Sequence, residues 1–322
     1  MTFHPLFEQR LKDPFFQTFP KAQVEQYLSL LWALREAIQG IHCPNAIEKR
    51  FVAPDRTQIF NQYWLPQGPV EKIILMCHGF QCHSDLYYVL GDYFFDKNVL
   101  VCAMDQRGHG RTSGIRGHLN SFDLVYQDMR QLIRQLKRKY PKAPLYLMGE
   151  SMGGLTILNF AVQTPQEIEG VIALVPGIRP RSFSAFKNFF IFSSFFKYFP
   201  IKKPLIKLPS DYNNPTYFPA FNDYDSHDIL HANPISLGMV FNLMNLFRTT
   251  LPHIKNKIQK PILICQGTGD KLLDPQGAFD LFRLIPTPDK MIHIYRDANH
   301  SLLMDQNAQK IYADIYNWLQ AH

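Results

Sequence analysis

The 322-residue chain has no run of about 18 uncharged apolar residues, the length a helix needs to cross a bilayer, so no spanning helix is expected. Its first twenty residues contain no basic segment followed by an apolar block, and no secretory leader is expected there. Cysteine is sparse: five residues, at positions 43, 77, 82, 102 and 265. An odd number does not pair out into a disulfide framework, and Cys77, Cys102 and Cys265 lie in apolar runs, the usage of small buried hydrophobes. A reduced, cytoplasmic setting follows. No Cys/His spacing resembles a zinc site, so neither a metal nor another cofactor is expected. Residues 107–114 are glycine-rich, but no Gly-Lys-Ser/Thr follows, which points to a tightly packed structural loop and not a nucleotide-phosphate cradle. Internal repeats and low-complexity tracts are also missing. Acidic residues are absent from one stretch in particular, 179–207, which carries seven basic side chains. The rest balances at 27 against 27, so the net charge of +7 belongs to one local surface and no nucleic-acid partner is expected.

What is present alternates. Residues 21–39 place Val24, Tyr27, Leu28, Leu31, Leu34 and Ile38 on one stripe at helical spacing, with Gly40 as a stop. The expectation is a helix packed on the main domain, with a membrane-surface helix as the alternative. Residues 47–52 and 58–64 read as a hairpin around Pro54-Asp55. Apolar strands at 72–77, 99–104, 143–148, 171–175, 262–265 and 291–295 are separated by helices at 86–95, 121–140, 155–162, 276–284 and 306–319. That order predicts an α/β fold, a mostly parallel sheet with helices on both faces. Between Val175 and Ile262 the alternation stops, and prolines and aromatics accumulate. Three parts are expected: an N-terminal extension over 1–46, a core from 47–175 and 252–322, and an inserted, mainly helical cap over 176–251.

The chain is organised around Gly149-Glu150-Ser151-Met152-Gly153, a serine bracketed by glycines between an apolar strand and an amphipathic helix. This is the Gly-x-Ser-x-Gly nucleophile elbow. A sharp turn there needs neighbours without Cβ atoms and presents the hydroxyl above the sheet, at the positive end of a helix. A plain strand–turn–helix junction is the alternative. A serine needs a base, and a histidine base needs a carboxylate to orient it. Asp270, just past the strand ending at Cys265, and His300, just past the last strand, stand in the expected chain order. Asp274 precedes Pro275 and suits a helix cap, Asp297 and Asp305 do not end a strand in the expected place, and His293 lies inside a strand. Acyl transfer also needs donors for the developing oxyanion, for which the amides of Met152 and Phe80 are the candidates. His78 is expected to buttress the loop that carries Phe80.

His78-Gly79 with His83-Ser84 and Tyr87, the stretch 105–118, Ser121-Phe122, Gly149 to Gly154, Gly267 to Asp270, and His300 together resemble the monoacylglycerol lipase and lysophospholipase branch of the α/β-hydrolases, in the serine-aminopeptidase-like group. The resemblance runs from about residue 47 to the C-terminus. It implies the α/β-hydrolase fold, Ser151 as nucleophile, Asp270 orienting His300 as base, and oxyanion amides at Phe80 and Met152. It implies a single-chain lipid ester as substrate, monoacylglycerol or lysophospholipid. A general carboxylesterase or thioesterase, or an inactive hydrolase-fold receptor, are the alternatives. Residues 183–199 hold nine aromatics in seventeen positions. With Arg179, Arg181, Lys202, Lys203 and Lys207 flanking them, they suit peripheral contact with an anionic membrane, or else the walls of an acyl pocket.

Overall fold

The computed structural model describes residues 9–39, 46–181, 201–207 and 219–322. Strands β1 (Ile47–Val52), β2 (Gln58–Trp64), β3 (Lys72–Cys77), β4 (Val99–Met104), β5 (Leu145–Glu150), β6 (Gly170–Leu174), β9 (Ile262–Gly267) and β10 (Lys290–Tyr295) form one eight-stranded sheet in the order β1-β2-β4-β3-β5-β6-β9-β10. The first hairpin is antiparallel, β2 pairs β4 antiparallel, and every later neighbour is parallel. The central strands are apolar along their whole length because both faces are covered. In β3, Ile73, Leu75 and Cys77 enter one core and Ile74 and Met76 the other. The edge strand β1 carries Glu48, Lys49 and Arg50 and is largely exposed, a composition that discourages pairing with another sheet.

Helix α1 (Lys21–Gln39) buries Val24, Tyr27, Leu28, Leu31 and Leu34 of the expected stripe; the side chain of Ile38 lies outside the described residues. It packs on α2 (Tyr88–Tyr93) and on α5 (Pro219–Ser226), which makes it part of the domain and not a membrane-surface helix. Helix α3 (Phe122–Lys139) is capped by the Ser121 hydroxyl accepting from Asp123 N, and its last turn carries Lys137, Arg138 and Lys139, charges that complement the helix dipole.

Helix α4 (Met152–Gln163) differs from expectation. It is buried from Met152 through Ala161 without a polar face. The reason is a second layer: α6 (Leu237–Ile254) lies over it, and Asn159 is absorbed by donating to Thr250 Oγ1 at 2.8 Å and accepting from His253 at 2.7 Å. Helix α6 continues through Pro252 to Ile254, across the expected cap boundary at 251/252. The described remainder of the cap region comprises α5 and the short antiparallel pair β7 (Pro204–Ile206) and β8 (Ile235–Ser236). The aromatic stretch 183–199 lies outside the described residues. Helices α7 (Gln276–Leu284) and α8 (Ala308–Ala321) complete the layers.

Leu31 is 1 % exposed on the helix face that meets the domain. Leu31→Ala should lower stability by about 2–5 kcal/mol. Urea denaturation measures it; a loss below about 0.5 kcal/mol, the range of surface changes, would show that α1 does not contribute to the core.

Candidate active site

Strand β5 ends at Glu150, and the chain turns through Ser151 at φ 55°, ψ −114° into α4. A non-glycine residue there stores about 1–3 kcal/mol and persists only where its surroundings fix it. Ser151 N donates to Leu174 O on β6 at 3.0 Å, and Ser151 O accepts from Gly177 N at 3.2 Å. The glycines make the turn possible by close approach. A Cβ on Gly153 would lie 2.1 Å from Cys77 O, and one on Gly149 would lie 2.4 Å from Gly153 O. The Ser151 side chain makes no capping bond to its own helix. Met152, the first helical residue, has no intrahelical acceptor for its amide. Gly79 stands directly against the serine, its Cβ position 3.6 Å from Ser151 Cβ, which brings the loop with Phe80 to the elbow.

His78 holds that loop from beneath. Its Nδ1 donates to Gly79 O at 2.7 Å and its Nε2 accepts from Gln106 N at 2.9 Å. Burial pushes its imidazole down to about 3, so it is a neutral structural group, in line with the sequence reading. Residues 107–114 form the expected packed loop: Arg107 pairs with Asp128 at 2.6 Å, and Asp105 just before it accepts from Ser84 N at 2.6 Å and Arg111 N at 2.7 Å.

The other two sequence-predicted residues meet. His300 Nδ1 lies 2.8 Å from Asp270 Oδ2. Two loops are pressed backbone against backbone to achieve this. Gly269 N donates to Ala298 O at 2.9 Å, and a Cβ on Gly267 would lie 2.2 Å from the same oxygen. Asp270 Oδ1 accepts from Leu272 N and Leu273 N, both at 2.9 Å, and Oδ2 also accepts from Gln266 Nε2 at 3.3 Å. Burial opposes the Asp270 charge, but the imidazole and these amides outweigh it and hold the carboxyl below its usual range. The Nδ1 proton is thereby committed to Asp270, leaving His300 Nε2 as the basic nitrogen. Burial alone would lower the imidazole pKa; the Asp270 carboxylate overcomes that and raises it.

Of the alternatives, Asp305 steadies the backbone beside His300, and the side chains of Asp274 and His293 are bonded to other groups. Asp274 Oδ1 accepts from Gln276 N at the start of α7, Asp305 Oδ2 accepts from Asn299 N, and His293 on β10 faces Asp314 at 3.3 Å. Sequence reading missed Glu150. Its carboxyl accepts from Tyr87 Oη at 3.0 Å, burial raises its pKa, and it stands within electrostatic reach of His300. The only signal for it is an acid inside the elbow pentapeptide. Among the described residues no group of three or more His, Cys, Asp or Glu side chains could hold a metal ion. A groove of about 970 Å³ between β1–β2 and α3, lined by Lys49, Tyr63, Arg134 and Tyr140, contains none of these site residues.

A mostly parallel sheet with a strained serine at a strand–helix elbow defines an α/β-hydrolase. The chain matches the family model described as serine aminopeptidase, S33, over residues 68–307, and it belongs to that family, as a serine ester hydrolase. It is 27% identical to the monoglyceride lipase of Homo sapiens over 280 residues, 83% of this chain and 88% of that protein. It is 22% identical to the monoacylglycerol lipase of Mycolicibacterium smegmatis, covering 85% and 97%. In fold it is similar to a soluble variant of the monoglyceride lipase of Saccharomyces cerevisiae solved with a substrate analogue, at TM-score 0.75 and 23% identity, covering 88% of this chain and 96% of that one.

With His300 proposed as the base, only its neutral form could accept the serine proton, and activity should fall on the acid side with an apparent pKa above the ordinary 6.5 of a free imidazole. In Asp270→Asn the raising charge is gone. Its turnover should drop by about 10⁴-fold and its residual acid limb should move to lower pH. A pH–rate profile of both proteins reads this; an unmoved limb would mean that His300 is not the titrating base.

Proposed function

We propose that the protein hydrolyses monoacylglycerols through an acyl-enzyme at Ser151, with Asp270 and His300 completing the triad. The observation that carries the residue roles is the 2.8 Å Asp270–His300 pair at the strand ends beside the elbow. The substrate reading is supported by the similarity to monoglyceride lipases along more than four-fifths of the chain. Ser151 Oγ attacks the ester carbonyl while His300 Nε2 takes its proton. The amides of Phe80 and Met152 stabilise the oxyanion, and preorganised donors of this kind are worth about 10²–10³ in rate each. Collapse expels glycerol, which receives the proton from His300. Water, deprotonated by His300, then releases the fatty acid.

The domain reading is also a proposal: 176–251 forms a cap over a core of 47–175 and 252–322. Peripheral membrane contact through that cap has narrower support than its composition suggested. Arg179 pairs with Asp280 at 3.3 Å, and Arg181 donates to Asp270 O and Leu273 O, both at 3.2 Å. These two cations, although exposed, are tied to residues of the core; Lys202, Lys203 and Lys207 are exposed as well. No helix among the described residues is long and apolar enough to cross a membrane.

The purified protein should release fatty acid from a series of monoacylglycerols faster than p-nitrophenol from short-chain esters, and Ser151→Ala should remove both activities while keeping the fold. A preference for lysophospholipids would move the head group; more than trace activity in Ser151→Ala would remove the nucleophile assignment. Charge reversal at Lys202 and Lys203 should weaken sedimentation with anionic liposomes, by about 1 kcal/mol per basic residue, and leave neutral liposomes unaffected. Equal loss on both, or no sedimentation of the wild type, would end the membrane reading.

A further inference from the structure

The N-terminal segment lies outside the family match at 68–307, yet its polar side chains are buried against Asp85, in the turn that follows the loop of Phe80. Arg10 is completely buried. It donates to both oxygens of Asp85, at 3.0 and 2.8 Å, and to Glu48 Oε1 at 3.0 Å. Arg111 pairs with the same two acids, at 2.8 and 2.9 Å. From α1, Tyr27 Oη donates to Asp85 Oδ2 at 2.7 Å. Asp85 lies in the turn Ser84–Tyr87 that follows the loop of Phe80, and its own amide donates to His83 Nδ1 at 3.3 Å.

With Nδ1 an acceptor, the His83 proton sits on Nε2. That nitrogen faces Asp228 Oδ2 at 2.8 Å and Tyr224 Oη at 3.0 Å, both from the cap region. Tyr224 Oη in turn donates to Tyr27 Oη over 3.5 Å, closing the path between the N-terminal helix and α5. Next to Phe80, Gln81 has φ 64° and is held by Ala232 through both its carbonyl and its side chain, at 3.3 Å each. Most ties on residues 81–85 therefore run to the N-terminal segment, to 224–232, or to buried acids and arginines, and Gln62 Nε2 on β2 adds bonds to Ser84 Oγ and Asp85 Oδ1 at 2.8 and 2.6 Å.

We infer that Tyr27 and Tyr224 are positioning residues: with Arg10 they latch residues 81–85 and so aim the Phe80 amide at the reacting carbonyl. The inference rests on the reading of Phe80 N as an oxyanion donor. The two hydroxyls do not touch substrate. They act through Asp85 and His83, and an error of about 1 Å in such a loop can cost about 10²-fold in rate.

The test uses full-length Tyr27→Phe and Tyr224→Phe on a soluble short-chain ester and on its thiono analogue, whose sulfur depends less on oxyanion-hole donors. Leu31→Ala loosens the same helix by packing alone and serves as the comparison, at a temperature where all variants are folded. Each tyrosine variant should lose about 10-fold in kcat on the oxo ester with KM within about 2-fold, and less on the thiono ester, while Leu31→Ala keeps wild-type kcat. If both tyrosine variants keep kcat within 2-fold, whatever their melting temperature, the latch is structural only and the inference falls, with the hydrolase assignment untouched. If kcat falls equally on both esters, Phe80 N is not the donor, and the reading on which the inference rests falls with it. Should Tyr27→Phe fail to fold, Tyr224→Phe alone decides, since it leaves the Asp85 cluster intact.

Discussion

The approach of α4 to the end of β3 is the constraint on which the site depends. Residue 153 must come so near Cys77 O that no Cβ fits, and only then does the chain carry Ser151 through positive φ at the C-terminal end of the central strand β5. The strain is held by bonds to three different elements: Leu174 on β6, Gly177 beyond it, and the first turn of α4 through Leu155. Val175, which follows Leu174, also has positive φ, at 37°, an outlier for a β-branched side chain. Two strained residues on adjacent strand ends place the turn of the elbow and the departure of the cap region at the same corner of the sheet.

Around that corner, burial sorts the ionisable groups by their partners. His78 and His109 meet backbone groups and each other's rings, and desolvation holds both imidazoles down near 3. His300 faces a carboxylate whose charge is fixed by two backbone amides, and the same desolvation is overcome. The identity of the side chain does not decide the outcome; the partner does. Glu150 extends this logic. Its raised pKa follows from burial with a phenol as partner, and it adds a second carboxyl to the electrostatic surroundings of the imidazole.

What was legible in the sequence is what repeats locally. The parallel strands announced themselves as unbroken apolar runs because both faces are covered, and Ser151, Asp270 and His300 stood out because each follows a strand end. The stripe on α1 was readable for the same reason. The polar face assumed for α4 was not, because whether a helix is covered once or twice depends on α6, whose Thr250 lies 91 positions beyond Asn159. Nor could the flanking cations be sorted. Arg181 reaches the carbonyls of Asp270 and Leu273 across some 90 positions of sequence, while Lys202 and Lys203 stay in water. The N-terminal segment was opaque for the strongest form of this reason: its partners lie 75 residues away at Asp85 and 197 away at Tyr224, and no spacing rule links them.

Those long-range partners are charged and phenolic, and this choice has a physical meaning. Arg10 and Arg111 against Asp85 and Glu48 balance in sign, but four such groups are an inefficient route to stability, since apolar residues of similar volume often do as well or better. What they supply is direction. A carboxylate that accepts from two guanidinium groups, from Gln62 Nε2 and from a phenol can take one orientation only. The residue that carries it also presents its amide to His83 and so selects the tautomer that donates toward Asp228. An apolar contact at position 85 could slide by a fraction of an ångström at little cost, and the loop above it would slide as well. A saturated carboxylate cannot move without leaving a buried donor unpaired, which costs about 1–3 kcal/mol per group and more for a charged one. The N-terminal segment therefore acts less as a cover than as the far wall against which the loop beside Ser151 is set.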